Sequence, residues 1–163
     1  MGGLFPAEHV SSAYAIDYEE MYRRGFRGVI FDIDNTLVLP DAPADERARA
    51  LFERLRGIGL KTVILSNNTG KRAGDFAKSV GSACVTGALK PFPGKYREAV
   101  GVMELSPDQV FFVGDQIYTD IWGANNAGIH SVLTDPFTDR EEIQIVLKRI
   151  LEKPVLHLMK KRR

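Results

Sequence analysis

The segment Gly28-Val29-Ile30-Phe31-Asp32-Ile33-Asp34 is a continuous apolar run that ends in two carboxylates two residues apart. A buried strand does not normally finish in acids, because an unpaired buried charge is costly. At strand spacing the two side chains point the same way. Held that close they repel, unless a cation lies between them or one of them carries a proton. The pair is therefore suited to a hard metal, to carboxylate chemistry, or to both.

Other residues fit the same chemistry. A third acid, Asp115, together with the pair can hold Mg2+, which takes oxygen ligands and often engages substrate phosphate. Lys90 can neutralise phosphate charge as a compact cation. Ser66 and the amides near Asn67 can donate hydrogen bonds to phosphate oxygens. Such a set suits phosphoryl transfer, in which positioning and charge neutralisation supply most of the catalysis. Asp32 comes directly off the strand and is the better nucleophile; Asp34, one pleat further, can give a proton to the leaving oxygen and take one from the attacking water.

The elements that must position these residues follow from the apolar pattern. Short runs rich in Val, Ile or Phe predict strands at Gly28–Asp32, Lys61–Leu65, Ala83–Val85, Val110–Val113 and His130–Leu133. Between them lie amphipathic segments at Asp45–Ile58, stopped by Gly57 and Gly59, and at Lys71–Val80, Pro93–Met103, Thr119–Ala127 and Asp139–Glu152. Strand–helix alternation implies right-handed crossovers and an open α/β fold with a mostly parallel five-stranded sheet. Ligands of such sheets bind beyond the carboxyl ends of the strands. Asp32 and Asp34, Ser66-Asn67-Asn68, Lys90-Pro91 and Gly114-Asp115 are the exits of the first four strands, so one convergent site is expected there.

The 163 residues are expected to form one domain, with a motif-bearing core over 27–135 and a C-terminal helix and basic tail over 136–163. The net charge of +1 advertises no nucleic-acid partner. The single cysteine, Cys84, excludes a disulfide framework and fits a reducing compartment; it reads as a buried strand residue. No apolar run reaches the roughly 20 residues of a membrane helix, and Met1–Ser12 lacks the pattern of a secretory signal. The expectation is a cytoplasmic protein. From Lys148 to Arg163 seven basic residues face one acid, Glu152, which is compatible with peripheral contact at an inner membrane surface. Thr69-Gly70-Lys71-Arg72 lacks the remaining residues of a nucleotide loop. His9, His130 and His157 are scattered and read as structural or surface residues, and Trp122 reads as a core residue.

The ordered motifs resemble a known family. Phe31-Asp32-Ile33-Asp34-Asn35-Thr36-Leu37 resembles the first motif of the haloacid dehalogenase (HAD) superfamily, Ile64-Leu65-Ser66-Asn67 the second, Lys90 the third, and Gly114-Asp115-Gln116-Ile117-Tyr118-Thr119-Asp120 the fourth. The resemblance implies a three-layer Rossmann-like core with Asp32 as nucleophile and Asp34 as acid/base. It also implies Mg2+ held by the Asp32 carboxylate, the Asp34 backbone carbonyl and Asp115, with Asp120 supporting the metal waters or Lys90. The family's dehalogenases lack the second aspartate, and its ATPases carry a Lys-Thr-Gly-Thr run that is absent here, so phosphatase is the implied activity. Val38–Ala44 and the stretch between Ser66 and Lys90 are too short to house a cap domain, so an open site is expected, one that suits a large or surface-presented substrate or closure by a second subunit. Pro6-Ala7-Glu8-His9-Val10 and Tyr14-Ala15-Ile16 resemble the leader of the YqeG-like group, subfamily IIIA, related to mitochondrial phosphatidylglycerophosphate phosphatases. That implies a phosphomonoester hydrolase for a phospholipid head group. The alternatives are a phosphatase for a soluble nucleotide, sugar phosphate or phosphoprotein, and, outside enzymes, a phospho-acceptor switch or a binding module with a relic site.

Overall fold

Every residue of the strand Gly28–Phe31 is buried, and its side chains alternate between two cores. Val29 and Phe31 face one apolar cluster and Ile30 the other, as a period of two requires of a strand covered on both faces. A computed structural model of the protein describes residues 3–67, 70–137, 152–153 and 156–160. In it the strands are β1 (Glu8–Val10), β2 (Gly28–Phe31), β3 (Lys61–Leu65), β4 (Ala83–Val85), β5 (Val110–Gly114) and β6 (His130–Thr134). They form one sheet in the order β1-β6-β5-β2-β3-β4, with every pairing parallel.

The expected architecture is present, with one strand more than the five read from the sequence. Strand β1 was missed because Glu8-His9-Val10 offers one apolar residue; it is held at the sheet edge by its register with β6, Glu8 opposite Val132 and Val10 opposite Thr134. Its polar side chains are partnered. The Glu8 carboxylate meets Arg24 Nη1 at 2.9 Å and His130 Nε2 at 2.8 Å, and His9 lies 2.8 Å from Asp135.

The helices are α1 (Tyr18–Arg23), α2 (Glu46–Ile58), α3 (Lys71–Val80), α4 (Gly94–Val102) and α5 (Trp122–Asn126). Helix α2 starts where Asp45 accepts a hydrogen bond from the Ala48 amide at 2.8 Å, and it runs through Gly57 to stop at Gly59, whose φ of 101° suits a residue without a Cβ. The expected helix Thr119–Ala127 is instead a π turn, Ile117–Ile121, followed by the short α5. Helices α1, α2 and α3 cover the Val29/Phe31 face; α4 and α5 cover the Ile30 face. The segment expected as the helix Asp139–Glu152 lies outside the described residues except for Glu152. Among the described residues no helix is long and apolar enough to cross a membrane.

The chain runs outward from β2 through β3 to β4, then returns to the other side of β2 with β5. Strand order therefore reverses at β2, the place where an open parallel sheet leaves a crevice at its carboxyl edge.

Candidate active site

Asp32 leaves β2 at this reversal. Its amide still bonds the Val113 carbonyl at 3.1 Å, so the backbone is pinned to the sheet at the residue where the side chain becomes available. The ladder pairs β2 with β5 through Phe31 and Val113, which brings the exit of β5, with Asp115, alongside. Thr36 Oγ1 donates to Asp115 Oδ1 at 3.4 Å, tying the loop after β2 to the one after β5. Tyr14, in the turn before α1, donates to the Leu37 carbonyl at 2.6 Å and braces the same loop from the leader.

The π turn brings in a third carboxylate. Both the Asp120 and Ile121 amides bond the Gln116 carbonyl, at 2.9 and 3.1 Å, and this wider turn folds Asp120 back over β5. Asp120 Oδ2 accepts from the Gln116 amide at 3.1 Å. Gly114 makes room for it: a Cβ there would lie 2.7 Å from the Cβ, Cγ and Oδ2 of Asp120. Tyr96 of α4 closes the other side, its hydroxyl donating to the Thr119 and Asp120 carbonyls at 3.0 and 3.3 Å. Oxygens of Asp32, Asp115 and Asp120 all lie within 4.8 Å of one another.

Lys90 enters this acidic group from the loop after β4. Its Nζ lies 3.1 Å from Asp32 Oδ1 and 3.0 Å from Asp120 Oδ1, and its side chain is 2% exposed. The Lys90 amide donates to Asn67 Oδ1 at 3.3 Å, and the Ala88 amide to the Ser66 carbonyl at 3.0 Å, so the exits of β3 and β4 are joined beside the site. Burial favours loss of the Lys90 proton, but Asp120 and Asp32 more than offset it and hold the ammonium well above its ordinary range. Burial and the Asp120 charge push the Asp32 carboxyl up to about 7, against the opposing pull of Lys90. One ammonium cannot neutralise three clustered carboxylates, and the proton affinity of Asp32 reflects that surplus.

Asp34 sits differently. Its Oδ1 accepts from the Asp41 amide at 3.0 Å and lies 2.9 Å from Arg72 Nη2, while Oδ2 lies 3.3 Å from Arg72 Nη1. Arg72 also donates to the Ala42 carbonyl at 2.8 Å, so the first turn of α3 clamps both Asp34 and the loop that follows it. A groove of about 590 Å3 runs on from Arg72 between α2 and α3, lined by Ala42, Arg49, Phe76 and Ser79.

Asp32, Lys90, Asp115 and Asp120 are thus brought together, with Ser66 joined to the Lys90 loop through its carbonyl and Asn67 through its side-chain oxygen. Residues that sequence reasoning missed support them: Arg72, Tyr96 and Glu152. The buried carboxylate of Glu152 accepts from the Ile117 amide at 2.7 Å and the Tyr118 amide at 3.3 Å, holding the start of the π turn. Its only signal was that it is the single acid in a basic stretch. Trp122 corrects an expectation. It is 38% exposed rather than in the core, because Gly123 and Ala124 fill the contact with Tyr96 and the sheet in its place. Cys84 is half-buried on β4.

Comparison with known proteins gives the family. The HAD-hydrolase-like family model matches residues 88–145. The Bacillus subtilis protein named "Probable phosphatase YqeG" is 33% identical over 160 residues, which span 98% of this chain and 93% of that one. The chain belongs to the YqeG-like phosphatases of the HAD superfamily. Within that superfamily it also aligns, at 30% identity over 159 residues, with phosphatidylglycerophosphate phosphatase 1 of Arabidopsis thaliana, named as chloroplastic/mitochondrial; the match covers 88% of this chain and 44% of the plant protein. Among solved structures, an uncharacterised protein of Corynebacterium glutamicum superposes with a TM-score of 0.58 at 29% identity over 76% of this chain and 95% of the other. A HAD phosphatase of Thermococcus onnurineus superposes with a TM-score of 0.55 at 18% identity, over 77% of this chain and 98% of the other, and shares the fold. As a HAD phosphatase, the chain is a hydrolase of phosphorylated substrates.

Proposed function

We propose that this phosphatase is Mg2+-dependent, works through an aspartyl-phosphate on Asp32, and acts on a phospholipid monoester of the phosphatidylglycerophosphate kind. The observation that carries the reading is the cluster itself: one buried ammonium set between Asp32 and Asp120, with Asp115 beside them. The donor set fits a hard divalent cation, since it consists of carboxylate oxygens whose negative charge exceeds what Lys90 supplies. The Asp32 carboxylate, the Asp34 backbone carbonyl and Asp115 would hold the ion, with Asp120 keeping Lys90 and the metal waters in place. When bound, the ion supplies neutralisation of phosphate charge.

The chain's own residues then divide the work. An Asp32 oxygen attacks phosphorus and the bond from phosphorus to the leaving oxygen breaks. The Asp34 carboxyl gives its proton to that oxygen, so the alcohol departs neutral. In the second half Asp34 takes a proton from water, the water oxygen bonds phosphorus, and the Asp32–phosphate bond breaks to release inorganic phosphate. Lys90, with Ser66 and Asn67 at the neighbouring strand exits, binds the phosphate oxygens. Arg72 and the Asp41 amide hold Asp34 until substrate arrives.

The lipid substrate is supported by the alignment with phosphatidylglycerophosphate phosphatase 1 over most of this chain and by a site with no further element between β2 and α2 to cover it. The reading has the enzyme in the cytoplasm, at the inner membrane surface, with the basic residues near its C-terminus favouring anionic lipid. Phosphate release from an aryl phosphate and from phosphatidylglycerophosphate, with and without Mg2+, tests it in wild type and Asp32→Asn. Metal-dependent turnover of both esters, lost in Asp32→Asn, is expected. Full activity in Asp32→Asn rejects the covalent route, and turnover of the aryl ester alone rejects the lipid.

A further inference from the structure

Seven large apolar side chains are exposed among the described residues, and four of them, Leu39, Leu89, Phe92 and Trp122, stand on the segments that leave β2, β4 and β5 at the edge of the sheet that carries the site. Phe5 precedes β1 and Val102 ends α4, so both belong to the opposite edge, and Leu158 lies near the C-terminus.

The loop after β4 shows how deliberate the arrangement is. The Phe92 amide bonds the Leu89 carbonyl at 2.7 Å, closing a four-residue turn around Lys90 and Pro91. This one turn drives its lysine inward onto Asp32 and Asp120 and leaves Leu89 and Phe92, its two ends, 72% and 70% exposed. Leu39 stands 55% exposed at the start of a second turn, where its carbonyl accepts from the Ala42 amide at 3.0 Å. Single exposed apolar residues need no explanation, but a set gathered at the mouth of a site marks a contact surface.

We propose that these four side chains form a rim that inserts into the surface of a lipid bilayer and sets the Asp32 site against the head groups. The proposal rests on the phospholipid reading above and extends it to the means of docking. The four side chains come from three separate segments, two loops and the start of α5, which suits a fluid acyl layer better than a shaped protein partner. Helices α2, α3 and α4 begin at the same edge, and charges of both signs stand there: Lys71 and Lys95 are paired with Asp75 and Glu98, and Asp41, Asp45 and Glu46 are exposed, so the apolar side chains drive the docking and the charges ring them. Tryptophan is suited to the interface between head groups and acyl chains, where its ring meets both phases. The site's own opening completes the case, since docking by this rim is the orientation that presents a head-group phosphate to Lys90.

Trp122 is the chain's single tryptophan, so its fluorescence reports on the rim directly. The full-length protein is titrated with phosphatidylcholine vesicles, with and without phosphatidylglycerol, some carrying brominated acyl chains. Blue-shifted emission and quenching by the brominated chains are expected. The double variant Leu89→Ser/Phe92→Ser should bind about tenfold or more weakly, while still turning over a soluble aryl phosphate. If that variant loses aryl phosphate turnover, Leu39→Ser on the second loop takes its place. Emission unaltered by vesicles, or vesicle binding by the double variant equal to wild type, overturns the proposal. So does a wild-type dimer that the double variant dissolves without any vesicle quenching, which would make the rim a contact between copies. Aryl phosphate turnover without vesicle binding removes the rim and leaves the phosphatase. Quenching without release of phosphate from phosphatidylglycerophosphate keeps the rim and removes the lipid substrate.

Discussion

Lys90→Met isolates the charge at the centre of the site, because methionine keeps the unbranched stem and opens little space. The Lys90 side chain is 2% exposed and that of Asp120 3%, and the ammonium lies 3.1 and 3.0 Å from Asp32 and Asp120. Removing one partner of such a buried cluster leaves charges with no compensation and costs about 3–5 kcal/mol. In a chain of this size each kcal/mol corresponds to about 2–4 °C, so the melting temperature of the metal-free protein should fall by roughly 6–20 °C. The sign of the pH dependence follows from Asp32. Burial and Asp120 already push its carboxyl up to about 7, and the loss of Lys90 pushes it further. A carboxyl that holds its proton more tightly folded than unfolded lowers stability as pH rises from its unfolded value of about 4 to its folded value, and contributes no penalty below about 4. The variant's deficit should therefore be larger near pH 8 than near pH 5, and Mg2+ should restore stability to the variant more than to the wild type. Thermal unfolding at the two pH values, with chelator and with Mg2+, measures this. The kcat should also fall, by about 10²–10³-fold, as when a buried donor to developing charge is removed. Unfolding of the variant within about 1 °C of wild type near pH 8, or a deficit that grows toward low pH, would refute the reasoning.

Gly114→Ala places a Cβ 2.7 Å from Asp120 and must displace it from Lys90 and the Gln116 amide; a loss of about 1–3 kcal/mol by urea unfolding and a lower kcat are expected, and a wild-type kcat would count against Asp120 as a supporting residue. Arg72→Ala removes the guanidinium 2.9 Å from Asp34, and kcat should drop by about 10–10²-fold with KM little changed, partly recovered in Arg72→Lys; a rise in KM alone would make Arg72 a substrate contact instead. Glu152→Leu leaves the buried Ile117 amide and the partly buried Tyr118 amide without this acceptor, costing about 1–3 kcal/mol and speeding their hydrogen exchange; exchange at wild-type rates would show that the π turn holds without it.

What the sequence made legible was what local composition encodes. Strands β2, β3, β4 and β5 are apolar runs, and a polar residue at or soon after the end of such a run is conspicuous, which is why Asp32, Ser66, Lys90 and Asp115 could be named before their geometry was known. Strand β1 was invisible because it is polar, short and held by backbone bonds to a strand more than a hundred residues away in the chain. Arg72 and Glu152 were invisible for a related reason. Arg72 looked like part of a failed nucleotide motif, and its meaning lies in a carboxylate 38 residues earlier. Glu152 looked like a stray acid, and its partners are amides 34 and 35 residues before it. Trp122 misled because large apolar residues are usually buried, yet the space against Tyr96 admits nothing larger than Gly123.

The two aspartates that leave β2 are in the end held by opposite means. Asp32 belongs to a buried cluster with more carboxylates than cations, so its charge is expensive and its proton affinity rises. Asp34 lies outside that cluster, held by a guanidinium and a backbone amide from two other segments. In its proposed role as nucleophile, Asp32 has to be ionised when it attacks, and a surplus of negative charge provides that only when a further cation joins Lys90. An acid/base has to exchange protons twice in one cycle, so its partners must be able to release it. Arg72 suits that demand, because it also donates to the Ala42 carbonyl, a bond that does not depend on Asp34. Under the proposed mechanism, the pleat that separates the two residues lets one strand exit carry both tasks: Asp32 beside the ions of the crevice, and Asp34 held by the helix and loop next to it.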